Sequence, residues 1–259
     1  MTDAAPCSDH LHRPRVPDDS ELAREVETGT GQLGLDLTRR LVAEGLGTAL
    51  LIVAVIGSGI MAQQLSTDIG LQLLENSLAT AGALVGLILM FGAVSGAHFN
   101  PVVTILDRLL GSISTRDTVL YVIAQIVGGC LGAMLVNFMF ELPVVNISSR
   151  DRSSPALWVS EIVATVTLLL VIQGCVRTGR AAVVPFAVSA WIGGAYWFTS
   201  STSFANPAVT IARMLSDTFA GIAPASAPMF ILMQVIGMLL ALALVRLLYP
   251  HPSQENSDV

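Results

Sequence analysis

SGAHFNPVVTILDRLL at residues 95–110 and TSFANPAVTIARMLSD at residues 202–217 are two versions of one phrase. In each, an Asn-Pro pair leads into a valine-threonine step and a short apolar stretch, and each phrase lies between long hydrophobic runs. Proline is suited to the first helical turn, where its missing N–H would be unpaired in any case. Asparagine before it is a good N-cap. Asn100-Pro101 and Asn206-Pro207 are therefore read as the starts of two helices. About ten helical residues rise roughly 15 Å, half the thickness of a bilayer's hydrocarbon core, so neither helix can cross it.

Hydrophobic residues make up 53% of the chain and charged residues 12%, too few charges for an ordinary soluble surface. Six apolar stretches have spanning length: 41–61, 78–96, 119–140, 157–176, 181–198 and 229–248. All 13 basic residues are arginine, and five of them precede the first span. With the N-terminus in the cytoplasm, ten of the 13 fall on the cytoplasmic side, leaving Arg150, Arg152 and Arg213 opposite, as the positive-inside tendency requires. The net charge of −6 comes largely from tails and loops and suggests no nucleic acid partner. The first 36 residues are polar with no apolar h-region near the start, so no cleavable signal peptide is expected there. Three cysteines cannot form a paired framework: Cys130 and Cys175 sit in spans and Cys7 in the tail. Cys7 with His10 and His12 invites a metal or a soft arsenic species, but a disordered tail explains the segment better.

The halves correspond beyond the Asn-Pro phrases. RRLVAEGLGTALLIV in the first span matches ALWVSEIVATVTLLLV in the fourth and pairs Glu44 with Glu161. YVIAQIVGGCLGAML in the third matches FILMQVIGMLLALAL in the sixth and pairs Gln125 with Gln234. Each half holds three spans, an odd number, so the second copy inserts upside down. Inverted repeats of this kind place the working site near the bilayer midplane. The spacings Gly82/Gly86 and Gly128/Gly132 predict close helix contacts.

A glutamate inside a span is expensive unless it is paired. Non-helical stretches at 95–99 and 199–205 leave backbone N–H groups without partners, and Glu44 and Glu161 are predicted to accept from them, with Gln125 and Gln234 as further supports. A proton-carrying role for the two glutamates is the weaker reading. His98 either lines the cytoplasmic mouth or caps its loop. The carbonyls of the two stretches, together with the Asn100 and Asn206 amides, offer exchangeable contacts to a small hydroxylated molecule. Opposed helix N-termini oppose cations and protons.

With these residues in view, the chain resembles the aquaporin family, the major intrinsic proteins, over about residues 39–249. The resemblance implies an all-α membrane protein with six transmembrane helices, two re-entrant half-helices and an inverted repeat (about 39–140 and 155–249). It also implies a homotetramer with one pore per subunit, in the cell (inner) membrane, without a cofactor. The tails, 1–38 (disordered) and 250–259, would be cytoplasmic.

The family's pore motifs carry over to Asn100, Pro101 and Val102, and to Asn206, Pro207 and Ala208. Two departures stand out. Val102 replaces the usual alanine, and Val209 stands where most of the family has an arginine at the outer constriction. Counted from the motifs without gaps, the remaining constriction positions are Thr80, Gly194 and Ser203. On that count the constriction is lined by small residues, with no aromatic and no cation, which makes the opening wide and less hostile to positive charge, and Arg213 lies along the half-helix instead. Such an opening implies passage of solutes larger than water, such as glycerol, urea or neutral metalloid acids. GSGIMA and FTSSTSFANPAVT also resemble bacterial channels associated with arsenic resistance.

A proton-coupled secondary transporter is the chief rival, since it shares inverted repeats and broken helices. It needs a titratable cluster at the midplane, for which only Glu44 and Glu161 qualify. A membrane-embedded enzyme finds no HExxH, no GxSxG and no pair of intramembrane aspartates in the sequence. A purely structural junction protein leaves the polar loops without a purpose.

Overall fold

The computed structural model describes residues 19–249, with side chains from Asp36 onward. The metal-inviting Cys7, His10 and His12 and the C-terminal tail 250–259 lie outside the described residues. The chain divides into two units, Met1–Thr38 and Arg39–Val259, and the second holds the helical bundle.

Among the described residues eight α-helices follow one another: α1 (Asp19–Leu65), α2 (Ile69–Ser95), α3 (Pro101–Leu109), α4 (Thr115–Met139), α5 (Pro155–Arg177), α6 (Val184–Phe198), α7 (Pro207–Arg213) and α8 (Ala227–Leu248). A single 3₁₀ turn, Ala181–Val183, leads into α6. Six of the described segments are long and apolar enough to cross a membrane, while α3 and α7, at nine and seven residues, are not. Cys130 and Cys175 are free thiols.

Two boundaries differ from the sequence reading. Helix α1 begins at Asp19, so residues 19–38, read as a disordered tail, are helical. ELAREVE supplies strong helix formers that an apolarity scan ignores. Helix α2 begins at Ile69 rather than near residue 78, with Asp68 as N-cap accepting from the Leu71 N–H. Its first turns contain Gln72, Asn76 and Ser77, which are polar yet buried. Asn76 Nδ2 donates to the Val55 carbonyl (2.8 Å) and to Ser58 Oγ (2.9 Å), so these polar residues bind α1 to α2.

The inverted repeat is written in the packing. Gly128 of α4 lies so close to α1 that a Cβ there would sit 2.0 Å from the Gly45 carbonyl oxygen. Its counterpart Gly237 on α8 is pressed against α5, where a Cβ would meet Thr165 Cβ at 2.9 Å and the Ile162 carbonyl at 3.0 Å. Gly45 and Ile162 each directly follow a paired glutamate. Gly132 makes a similar approach to Ala49. Gly82 and Gly86, by contrast, are exposed and face open space, against the expectation of a tight contact within the chain. Gly128→Ala should therefore lower stability by about 1–3 kcal/mol, because the obstacle is backbone and cannot swing aside. Gly82→Ala should leave stability within about 0.5 kcal/mol. Thermal unfolding of both variants in detergent checks the contrast.

Helices α3 and α7 pack against α4 and α8 and touch each other, α2 pairs with α6, and α5 pairs with α8. Two short helices are thereby held inside a ring of long ones.

Candidate functional site

Each half ends a long helix before its Asn-Pro phrase and crosses to the short helix in a contorted backbone. Ala97 (φ 51°) and Phe99 (φ 50°) take left-handed conformations in the first loop, as do Thr202 (62°), Ser203 (52°) and Ala205 (48°) in the second. None is glycine, so each is disfavoured by roughly 1–2 kcal/mol and must be held from outside.

The glutamates hold them. Glu44, fully buried, accepts at Oε1 from Ser95 Oγ (2.6 Å) and the His98 N–H (3.0 Å). At Oε2 it accepts from the Phe99 N–H (2.8 Å) and Gln125 Nε2 (2.7 Å). Glu161, also fully buried, repeats the pattern: Ser201 Oγ (2.6 Å) and the Phe204 N–H (2.9 Å) at Oε1, the Ala205 N–H (2.9 Å) and Gln234 Nε2 (2.7 Å) at Oε2. Each glutamine also donates to a threonine, Gln125 to Thr104 and Gln234 to Thr210, both at 2.9 Å. Ser95, Ser201, Thr104 and Thr210 were not singled out from the sequence. Their signal was present, since serine stands five residues before each motif asparagine and threonine four after it.

The short helices meet at their N-termini. Asn100 Oδ1 caps α3 by accepting from the Val102 N–H, and its Nδ2 donates to the Ala205 carbonyl of the other loop (2.8 Å). Asn206 Oδ1 caps α7 through the Ala208 and Val209 N–H groups, and its Nδ2 donates to the Phe99 carbonyl (2.8 Å). An amide NH2 carries two hydrogens. Each asparagine thus retains one N–H beyond its loop contact, and both border the same cavity. Pro101, Val102, Pro207 and Ala208 are buried behind them as the first turns of the short helices.

That cavity has a volume of about 470 Å³. One end is bordered by Asp107, Ser112, Gln173 and Val176, the waist by His98, Asn100 and Asn206, and the other end by Thr80, Tyr196, Ser203, Val209 and Arg213. His98 lies on the wall, its Nδ1 3.0 Å from Thr104 Oγ1 and its Nε2 3.1 Å from Asp107 Oδ2. It therefore both lines the passage and ties its loop to α3.

Two expectations for the Tyr196 end need correction. Gly194 does not line the cavity: it is exposed on the outer side of α6. Along α6 the wall is formed by Val184, Pro185, Val188, Ile192 and Tyr196; Val188, Ile192 and Tyr196 recur at four-residue spacing, and a position midway between the last two points the opposite way. The ungapped count failed because α2 stays helical to Ser95, close to Asn100, whereas α6 stops at Phe198 and inserts a turn before Asn206. An aromatic is consequently present, and Tyr196 Oη lies 3.1 Å from Thr80 Oγ1.

A cation is present as well. Arg213 is buried and borders the cavity, with its guanidinium 3.5 Å from the centroid of the Phe204 ring. Arg213 follows Val209 by four residues, so both project from one face of α7. Side chains on a helix lean toward its N-terminus, which carries the longer one back toward Val209. Arg152, from the α4–α5 connection, stacks on the same Phe204 ring at 4.9 Å and donates to the Gly221 carbonyl (2.9 Å). Burial, reinforced by the charges of Arg213 and Arg150, holds the Arg152 pKa down at about 9, which leaves it protonated at neutral pH.

Among known proteins, the family model for the major intrinsic proteins matches residues 33–198. The chain belongs to the major intrinsic protein family. It is 49% identical to an aquaglyceroporin, AqpS, of Rhizobium meliloti over 211 residues, 82% of this chain and 90% of that one. It is 26% identical to a probable aquaporin, AqpM, of Archaeoglobus fulgidus, over 73% of this chain and 87% of that one. Among solved structures, the aquaglyceroporin from Plasmodium falciparum superimposes with a TM-score of 0.63 at 20% identity, covering 83% of this chain and 96% of that one, a likeness of fold. As a major intrinsic protein, the chain is a multi-pass membrane channel and not an enzyme.

Proposed function

We propose that the chain conducts small uncharged solutes passively: water, glycerol-like polyols and neutral metalloid acids such as arsenite. The observation that carries this reading is the reciprocal pair of bonds, Asn100 to Ala205 and Asn206 to Phe99, which fixes two amide donors side by side on one cavity. A hydroxylated molecule at this waist exchanges contacts with water for contacts with amide hydrogens and loop carbonyls. An ion there loses its hydration shell without equal replacement. The likeness to an aquaglyceroporin at 49% identity supports polyols among the solutes. Arsenite, as uncharged As(OH)3, presents hydroxyls much as glycerol does.

The coupled-transporter alternative loses its working groups in this arrangement. Each oxygen of Glu44 and Glu161 already accepts two hydrogen bonds from its loop and its supports. A homotetramer in the inner membrane, with both termini cytoplasmic, remains part of the proposal on the strength of the family likeness and the arginine distribution.

Stopped-flow light scattering on proteoliposomes, with water, glycerol and arsenite in parallel, tests the reading. All three should equilibrate faster than in empty vesicles. Arsenite entry at the empty-vesicle rate removes the metalloids from the solute range, and glycerol entry at that rate removes the reading itself.

A further inference from the structure

Arg213 is only 2% exposed, yet no carboxylate pairs with it among the described residues. Its hydrogen bonding to protein among those residues is a single bond, from Nε to the Ala220 carbonyl. A guanidinium carries five N–H groups, so the two terminal nitrogens and their four hydrogens have no acceptor among the described residues. A buried cation in that condition is untenable unless its remaining hydrogens meet water or a solute. Arg213 lines the cavity wall, the side from which water or solute oxygens can reach those hydrogens. Ser203 Oγ, buried on the same wall, is likewise without a hydrogen-bond partner.

The surroundings fix the guanidinium there. Its inner face lies on Phe204, whose ring packs edge-on against Phe230. The segment after α7 supplies its one anchoring carbonyl. The same segment anchors Arg152 through Gly221 and Phe219, and Arg152 covers Phe204 with a second charge. Two cations around one ring, with no acid bonded to either among the described residues, make a positive end to the passage.

We propose that Arg213 is the specificity-determining cation of this end of the channel. From one helical turn beyond Val209 it repels protons and metal cations and offers hydrogen-bond donors to the oxygens of passing neutral solutes. Arg152 is a positioning residue that acts through Phe204 and the loop after α7. This inference rests on the passive-channel reading but predicts an ion selectivity that the reading alone does not.

The test measures ion selectivity and glycerol flux on the same proteoliposomes. In the unaltered protein under a NaCl gradient, residual current should favour chloride over sodium by at least about tenfold, and a pH dye should show proton entry near that of empty vesicles. In Arg213→Met the ratio of proton conductance to glycerol flux should rise at least about tenfold, and Arg213→Lys should restore most of the exclusion. A glycerol-conducting Met variant as proton-tight as the parent overturns the proposal. So does a parent current that prefers sodium, which decides the matter even if the Met variant cannot be purified folded. Loss of glycerol flux in the parent would instead sink the channel reading, so the two failures are separable.

Discussion

Replacing Glu161 with leucine is expected to abolish the folded channel. The carboxylate accepts four hydrogen bonds in a site with no exposure to solvent, from Ser201, Phe204, Ala205 and Gln234. Leucine leaves all four donors buried and unsatisfied, at about 1–3 kcal/mol each. The sum rivals the entire 5–15 kcal/mol by which typical folded proteins are stable. It falls on a loop that already carries Thr202, Ser203 and Ala205 in left-handed backbone. Glu161→Gln should be milder, because one carbonyl oxygen still accepts while its NH2 confronts donors. Monodisperse protein recovered in detergent and its melting temperature read the effect. A leucine variant that melts within a couple of degrees of the parent and conducts glycerol would show that the carboxylate does not hold the loop. A Gln variant that folds normally but loses only a proton-driven component of transport would revive the coupled carrier.

The second large effect is expected from Val209→Arg. Valine at 209 is buried on the cavity wall. An arginine there fills volume that glycerol must traverse and sets a second guanidinium one turn from Arg213. Raising the barrier by about 3 kcal/mol slows passage roughly a hundredfold. Glycerol and arsenite flux should fall at least about tenfold, and water, being smaller, should fall less. Equal loss of all three solutes in parallel light-scattering traces would count against Val209 as a discriminating position.

Much of this was legible in the sequence because each statement came twice. A lone Asn-Pro or a lone intramembrane glutamate decides nothing. Glu44 with Glu161, Gln125 with Gln234 and Asn100 with Asn206 corroborate one another, and a duplicated apolar pattern fixes the order of helices. What failed was geometry that spacing does not encode. Gly194 follows from an ungapped count back from the second motif, and the helix end at Phe198 with the turn after it puts Tyr196 on the wall instead. Arg213 was placed along α7 by its Cα position, but the length and lean of its side chain return the charge to the cavity. The early start of α2 escaped because Gln72 and Asn76 lower the apolarity of turns that are nonetheless buried by hydrogen bonds to the chain before them. In each miss the backbone register or side-chain reach decided the outcome, and neither is a property of composition.

The most direct test of a passive, neutral-solute pathway through the two joined asparagines is glycerol influx into proteoliposomes, measured against concentration, temperature and an imposed proton gradient. Influx should rise linearly with the glycerol gradient, show a weaker temperature dependence than leakage through protein-free bilayers, and ignore the proton gradient. Influx that saturates and follows the proton gradient would contradict the account.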